Sequence, residues 1–107
     1  EINRTTIGAG SAIPHLSYLG DAVVGSNVNI GAGTITANYD GVTKHRTEIA
    51  DQVHVGIHTS LRAPIKLGRG SRTGAGAVVL TDVAPGTTVV GAPARPLRRE
   101  GAREKTE

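Results

Sequence analysis

The sequence predicts an all-β fold in which the chain winds into a parallel β-helix, and three observations carry that expectation. Inward-type residues recur every six positions: Ile49, Val55, Leu61, Leu67, Thr73 and Val79 follow one another without a slip. Glycine returns at a fixed phase, directly after Val55, Leu67 and Thr73. And the 107 residues hold 15 glycines but only two aromatics, Tyr18 and Tyr39, with no Phe, Trp or Met to fill a wide core.

A period of six is divisible by two, so each unit can be a short strand with alternating faces. It does not match the 3.6-residue period of a helix, and glycine at this density would weaken one. Three such units make one triangular coil of about 18 residues, and successive coils stack ~4.8 Å apart. Glycine at fixed phase marks corners that need a positive φ or close backbone approach.

From the N-terminus, the first markers are Ile7, Ile13 and Leu19, followed by a five-residue step to Val24 and then Ile30 and Thr36. The period then fails over residues 34–49, "TITANYDGVTKHRTEI", where polar and basic residues crowd together. An inserted loop near 37–48 is expected there. The markers resume at Ile49, and a second inward position lies four residues after or two before each marker: Val53, Thr59, Ile65, Ser71, Ala77 and Val83. The markers amount to roughly four coils, enough for the ~3 repeats that such stacking needs. Residues 1–92 are assigned to the β-helix and residues 93–107, "PARPLRREGAREKTE", to a basic tail. A prism this thin, with open ends, is expected to oligomerise.

The formal net charge is +3, and the tail's five Arg/Lys against three Glu account for two of those charges. The near-neutral body argues against a nucleic-acid surface. No apolar run is long enough for a membrane helix, and no signal-peptide pattern opens the chain, so no membrane insertion is expected. Cysteine is absent, which excludes a disulfide framework or a Cys-based metal site and fits a cytoplasmic protein. The first residue is Glu rather than Met, as in a fragment of a longer protein.

The stretch "HLSYLGDAVVGSNVNIGAGTITANYDG" resembles the acetyltransferase domain of the bacterial bifunctional N-acetylglucosamine-1-phosphate uridyltransferase/glucosamine-1-phosphate acetyltransferases. The similarity spans roughly residues 1–85. It takes in the short step at "YLGDAVVG", the break at "ANYDGVTKHRT" and Ala63-Pro64, interruptions that a generic six-residue repeat would not share. The resemblance implies a left-handed coil, a homotrimer with active sites between subunits, and transfer of acetyl from acetyl-CoA to the amine of glucosamine-1-phosphate, a step of UDP-N-acetylglucosamine and hence cell-wall supply. The ending "VAPGTTVVGAPARPLRR" is more similar to the final coil of other hexapeptide acyltransferases.

Amide formation needs a base for the ammonium, a held acceptor and a held thioester. An imidazole, with its ordinary pKa near ~6.5, suits proton removal at neutral pH, and by resemblance His15 is the catalytic base. Tyr18 and Asn29 match sugar-phosphate-binding positions. Their phenol and carboxamide can hold oxygens while staying neutral, and Asn29, preceding an inward marker, should face outward. Ala32, Asn38, Tyr39 and Ala75 match acetyl-CoA contacts, the alanines through backbone groups and space. Lys44, His45 and Arg46 form either a phosphate-attracting patch or a solvated basic loop. His54 and His58 lie four apart on different parts of a side, with no acid or cysteine to complete a metal site, so no metal is predicted and a zinc carbonic anhydrase of this fold is set aside.

Three positions depart from the family. Asn3 stands where a phosphate-binding lysine is found, Ile57 where a serine contacts acetyl-CoA, and Ala92 where an arginine lies near the CoA phosphates, with Arg4 and Arg95 close by. The alternatives are therefore another CoA-dependent hexapeptide acyltransferase with a different acceptor, or a catalytically inactive trimerising β-helix.

Overall fold

The computed structural model describes residues 1–14 and 16–97. Short strands line three faces, which the chain visits in rotation. One face carries β2 (Thr6–Ile7), β4 (Ala22–Val24), β7 (Thr47–Ile49) and β10 (Ile65–Leu67). The next carries β5 (Asn29–Ile30), β8 (His54–Val55), β11 (Arg72–Thr73) and β13 (Thr88–Val90). The third carries β1 (Ile2–Asn3) and β3 (Leu19–Gly20), then β6 (Ile35–Ala37), β9 (Ser60–Arg62) and β12 (Val78–Val79), with a Tyr18–Ile35 bridge joining the two groups. All these pairings are parallel.

The register measures each turn. Ile2 pairs with Leu19 and Thr6 with Val23, a step of 17 residues. Val23 pairs with Glu48 and Asn29 with His54, a step of 25. Thr47 pairs with Ile65, a step of 18, and Arg72 with Thr88, a step of 16. The inserted segment is thus absorbed within one turn. Ala37 still pairs with Arg62 before the segment and Thr47 with Ala22 after it.

Stacking turns the markers into buried ladders. Val24, Ile49 and Leu67 form one, Ile30, Val55, Thr73 and Val89 another, and Leu19, Thr36, Leu61 and Val79 a third. The secondary positions Val53, Thr59, Ile65, Ser71, Ala77 and Val83 are buried as well. No aromatic ring lies among these core residues because three strand faces meet too closely to hold one. Ile7 differs from expectation, being 38% exposed, and Ile13 is only partly covered. Both lie in the first of the described coils.

The glycines after the markers serve close approach. A Cβ on Gly31 would come within 2.5 Å of the Ile57 nitrogen and 2.6 Å of the Gly56 carbonyl carbon in the next coil. The left-handed corners are a separate set. At one of them Gly33, His58 and Gly76 have φ of 81°, 53° and 71°. Pairing continues beyond residue 92: β14 (Arg95–Pro96) turns back antiparallel onto β13, and Ala94 packs against the core. Residues 98–107 of the expected tail lie outside the described residues. Among the described residues no helix is long and apolar enough to cross a membrane.

Candidate functional site

The candidate residues gather around the third face. Alternation on β3 puts the Tyr18 and Gly20 positions outward and Leu19 inward, where Leu19 is fully buried. Gly20 has no side chain, so the Tyr18 phenol lies across it and reaches Asn38 at the far corner. A Cβ on Gly20 would come within 2.8 Å of the Tyr18 Cζ and 2.5 Å of Asn38 Nδ2. Asn38 directly follows β6 and is 92% covered, at 8% exposure.

At that corner three residues spaced by the 17-residue turn stack in order: Arg4, Asp21 and Asn38. Arg4 Nε donates to Asp21 Oδ1 at 2.6 Å and its terminal nitrogen to Oδ2 at 3.2 Å. Asn38 Nδ2 donates to the same Oδ2 at 2.6 Å and, at 3.5 Å, to the Tyr18 hydroxyl oxygen. The Arg4 hydrogen bond, and after it that from Asn38, holds the Asp21 carboxyl down at about 2. Asp21 in turn raises the Arg4 guanidinium.

The inserted segment is a compact hairpin. Tyr39 and Lys44 form an antiparallel bridge, and the His45 N–H donates to the Asn38 carbonyl at 2.6 Å. Asp40 organises the tip: its Oδ1 accepts the N–H groups of Val42 at 2.8 Å and Thr43 at 2.7 Å, and Oδ2 lies 2.8 Å from His45 Nε2. The Thr43 N–H first, then His45 and the Val42 N–H, hold the Asp40 carboxyl below the usual carboxylate range. The hairpin borders an open cleft of about 500 Å³, lined by Tyr39, Asp40 and His45 from the hairpin and by Arg62, Ala63 and Pro64 from the next coil.

The corner between the second and third faces is the other half of the region. Ala32, Ile57 and Ala75 occupy equivalent places in successive turns, since the Ala32 carbonyl accepts the His58 N–H and the Ile57 carbonyl the Gly76 N–H, both at 2.8 Å. Ala32 and Ala75 keep this edge low, while Ile57, half exposed, projects between them. Asn29 faces outward beside the same corner, with Nδ2 3.4 Å from His54 Nδ1. His15 lies outside the described residues.

The structure thus joins Tyr18 to Asn38, sets Tyr39 on the hairpin beyond them, and places Ala32 and Ala75 along the opposite edge of the face. Sequence reasoning missed Asp21, and it missed Arg62 as a cavity-lining cation. The 17-residue spacing of Arg4, Asp21 and Asn38 was the available signal for the first, and the outward phase of Arg62 just after the break for the second. Among the described residues no group of three His, Cys, Asp or Glu side chains converges as a metal site would require.

No family model matches the chain. The bifunctional protein GlmU of Rubrobacter xylanophilus is 54% identical over 107 residues, covering 99% of this chain and 23% of that protein. The chain is homologous to the acetyltransferase part of GlmU. The GlmU of Clavibacter sepedonicus is 58% identical over 86 residues, 80% of this chain and 17% of that protein. The chain therefore spans less than a quarter of these GlmU relatives. Among solved structures, the serine acetyltransferase of Neisseria gonorrhoeae superposes with a TM-score of 0.80 at 33% identity, covering 89% of this chain and 39% of that one. The Brucella abortus serine acetyltransferase in complex with coenzyme A superposes with a TM-score of 0.76 at 28% identity, covering 87% of this chain and 39% of that one. The coil is the left-handed parallel β-helix of these acetyltransferases.

Proposed function

We propose that this chain transfers the acetyl group of acetyl-CoA to the amine of glucosamine-1-phosphate, in the supply of UDP-N-acetylglucosamine, as a cytoplasmic homotrimer. The observation that carries this reading is the 54% identity to a GlmU protein across 99% of the chain, hairpin segment included. The coenzyme A complex of a structural neighbour at 28% identity supports the choice of acyl donor.

In this reading His15 takes the proton from the acceptor ammonium as the amine attacks the thioester carbonyl. The C–N bond forms, the C–S bond breaks, and the thiol of coenzyme A leaves. Tyr18 and Asn29 hold the acceptor. Ala32, Ala75, Asn38 and Tyr39 hold the acetyl-CoA, which supplies the acyl group. The small side chains of Ala32 and Ala75 leave backbone groups open for a slender pantetheine arm, which has to pass the half-exposed Ile57 between them. Arg62 in the hairpin cleft adds a positive charge that favours a phosphorylated ligand.

The test is thiol release from acetyl-CoA with glucosamine-1-phosphate, serine and maltose as acceptors, and sedimentation equilibrium of the same sample. The expected result is transfer to glucosamine-1-phosphate by a trimer. Preference for serine or maltose would replace this acceptor with that of another hexapeptide acyltransferase, and no transfer to any would leave an inactive trimerising β-helix.

A further inference from the structure

The Arg4–Asp21–Asn38 stack does more than tie three coils together. We propose that Asp21 is a positioning residue: by orienting the Asn38 carboxamide it commits the Tyr18 hydroxyl to donate its proton to an oxygen of the acceptor's phosphate or sugar. This rests on the acceptor reading above.

Hydrogen-bond direction sets which way each group in the stack points. The oxygen and nitrogen ends of an asparagine side chain have nearly the same shape, so a neutral partner that both donates and accepts would tolerate either orientation. An ionised carboxylate only accepts. Asp21 Oδ2 therefore faces Nδ2 of Asn38, at 2.6 Å, and not Oδ1. Arg4 keeps the carboxylate charged through its two donated bonds. With one Nδ2 hydrogen given to Asp21, the other faces the Tyr18 oxygen at 3.5 Å. Arg4, which also lies near the phenol, has only donors to offer it. The Tyr18 oxygen is thus surrounded by donors, and its own proton turns away from the stack. A phosphate monoester presents only acceptors when fully ionised, so this is the polarity it requires. The bare Gly20 surface lets the phenol lie where this relay works, since any Cβ there would push Tyr18 and Asn38 apart.

The experiment is steady-state acetylation of glucosamine-1-phosphate by the wild type, Asp21→Asn, Tyr18→Phe and the double variant. Asp21→Asn keeps the shape but lets the Asn38 carboxamide turn over. Each single variant is expected to raise KM for glucosamine-1-phosphate about tenfold, the worth of one hydrogen bond to a charged group, and Tyr18→Phe, which leaves Asn38 in place, to hold KM for acetyl-CoA within about twofold. The double variant is expected to be no worse than Tyr18→Phe, because the orientation of an absent hydroxyl has no consequence. Losses that multiply in the double variant, or a rise confined to KM for acetyl-CoA, overturn the proposal while leaving the proposed function standing. A wild type that ignores glucosamine-1-phosphate removes both. If Asp21→Asn does not fold, the wild-type side-chain amide of Asn38 decides. A downfield, slowly exchanging amide pair in nuclear magnetic resonance supports the relay, and a freely exchanging pair overturns it.

Discussion

The imidazole of His58 lies directly against the α-carbon of Gly33, one turn away at the same left-handed corner. A Cβ on Gly33 would run into His58 Nδ1 and come within 3.2 Å of its Cγ, and Gly33 itself has a φ of 81°. Gly33→Ala is therefore expected to destabilise the chain by about 2 kcal/mol or more, combining left-handed strain with the clash. Gly76, at the same corner with a φ of 71° but nothing within 4 Å, isolates the strain. Gly76→Ala is expected to cost only about 1 kcal/mol. Thermal melting of the two variants checks the difference, and adding His58→Ala, which removes the imidazole and keeps a side chain at the left-handed position, should recover the clash part of the Gly33→Ala loss.

A second expectation concerns the buried interior. Thr47 is fully covered, pairs with Ala22 and Ile65, and among the described residues its hydroxyl has no hydrogen-bond partner. Thr47→Val keeps the branched shape and removes the orphaned oxygen. It should stabilise the fold by about 1 kcal/mol. An unchanged or lower melting temperature would show that the hydroxyl is satisfied in solution.

Acid should lower the chain's stability through two carboxylates. Asp21 is held at about 2 against an ordinary value of 3.8, and Asp40 lies below the usual carboxylate range. Depressed carboxyls contribute stability that is complete above their unfolded-state value and lost as pH falls through the folded value. The melting temperature should therefore be insensitive to these groups above about pH 5 and fall from about pH 4 towards pH 2. Asp21→Asn and Asp40→Asn should each flatten part of that fall. If neither changes the acid limb, other groups control it.

The proposed base has a direct consequence. His15→Ala should lower acetyl transfer roughly 10²–10⁴-fold, the usual worth of a placed general base, and leave acetyl-CoA affinity nearly unchanged. Near-wild-type turnover would assign the proton to another group.

The hairpin can be removed without breaking a ladder, because Ala37 pairs with Arg62 before it and Thr47 with Ala22 after it. Replacing residues 39–46 with a short Gly/Ser linker spares Asn38 and its bond to Asp21. Melting temperature should change little, since loop closure depends weakly on length. Acetyl-CoA affinity should fall about tenfold or more with the loss of Tyr39 and the hairpin side of the cleft. Calorimetry on the folded variant measures this, and an unchanged affinity would make the hairpin a mere insertion.

The sequence by itself determined the coil. A six-residue period with a fixed phase leaves one way to bury Leu19, Ile30, Val55, Leu61 and Leu67 together, and burial of alternate residues follows from the strand period of two. It also located the hairpin, because a break in so strict a period is visible without coordinates. The exposure of Ile7 was not legible, since a repeat does not mark how closely each of its positions is covered. The 17-residue turn was legible in the five-residue step to Val24, but the 16-residue turn near the end was not. Only the tertiary structure decided which side chains meet between turns. One residue more or less in a turn would carry Arg4, Asp21 and Asn38 past one another. The bond between Asp21 and Asn38 arises because stacked turns convert a separation of 17 residues into a contact of 2.6 Å, and a local pattern has no term for contacts made between turns.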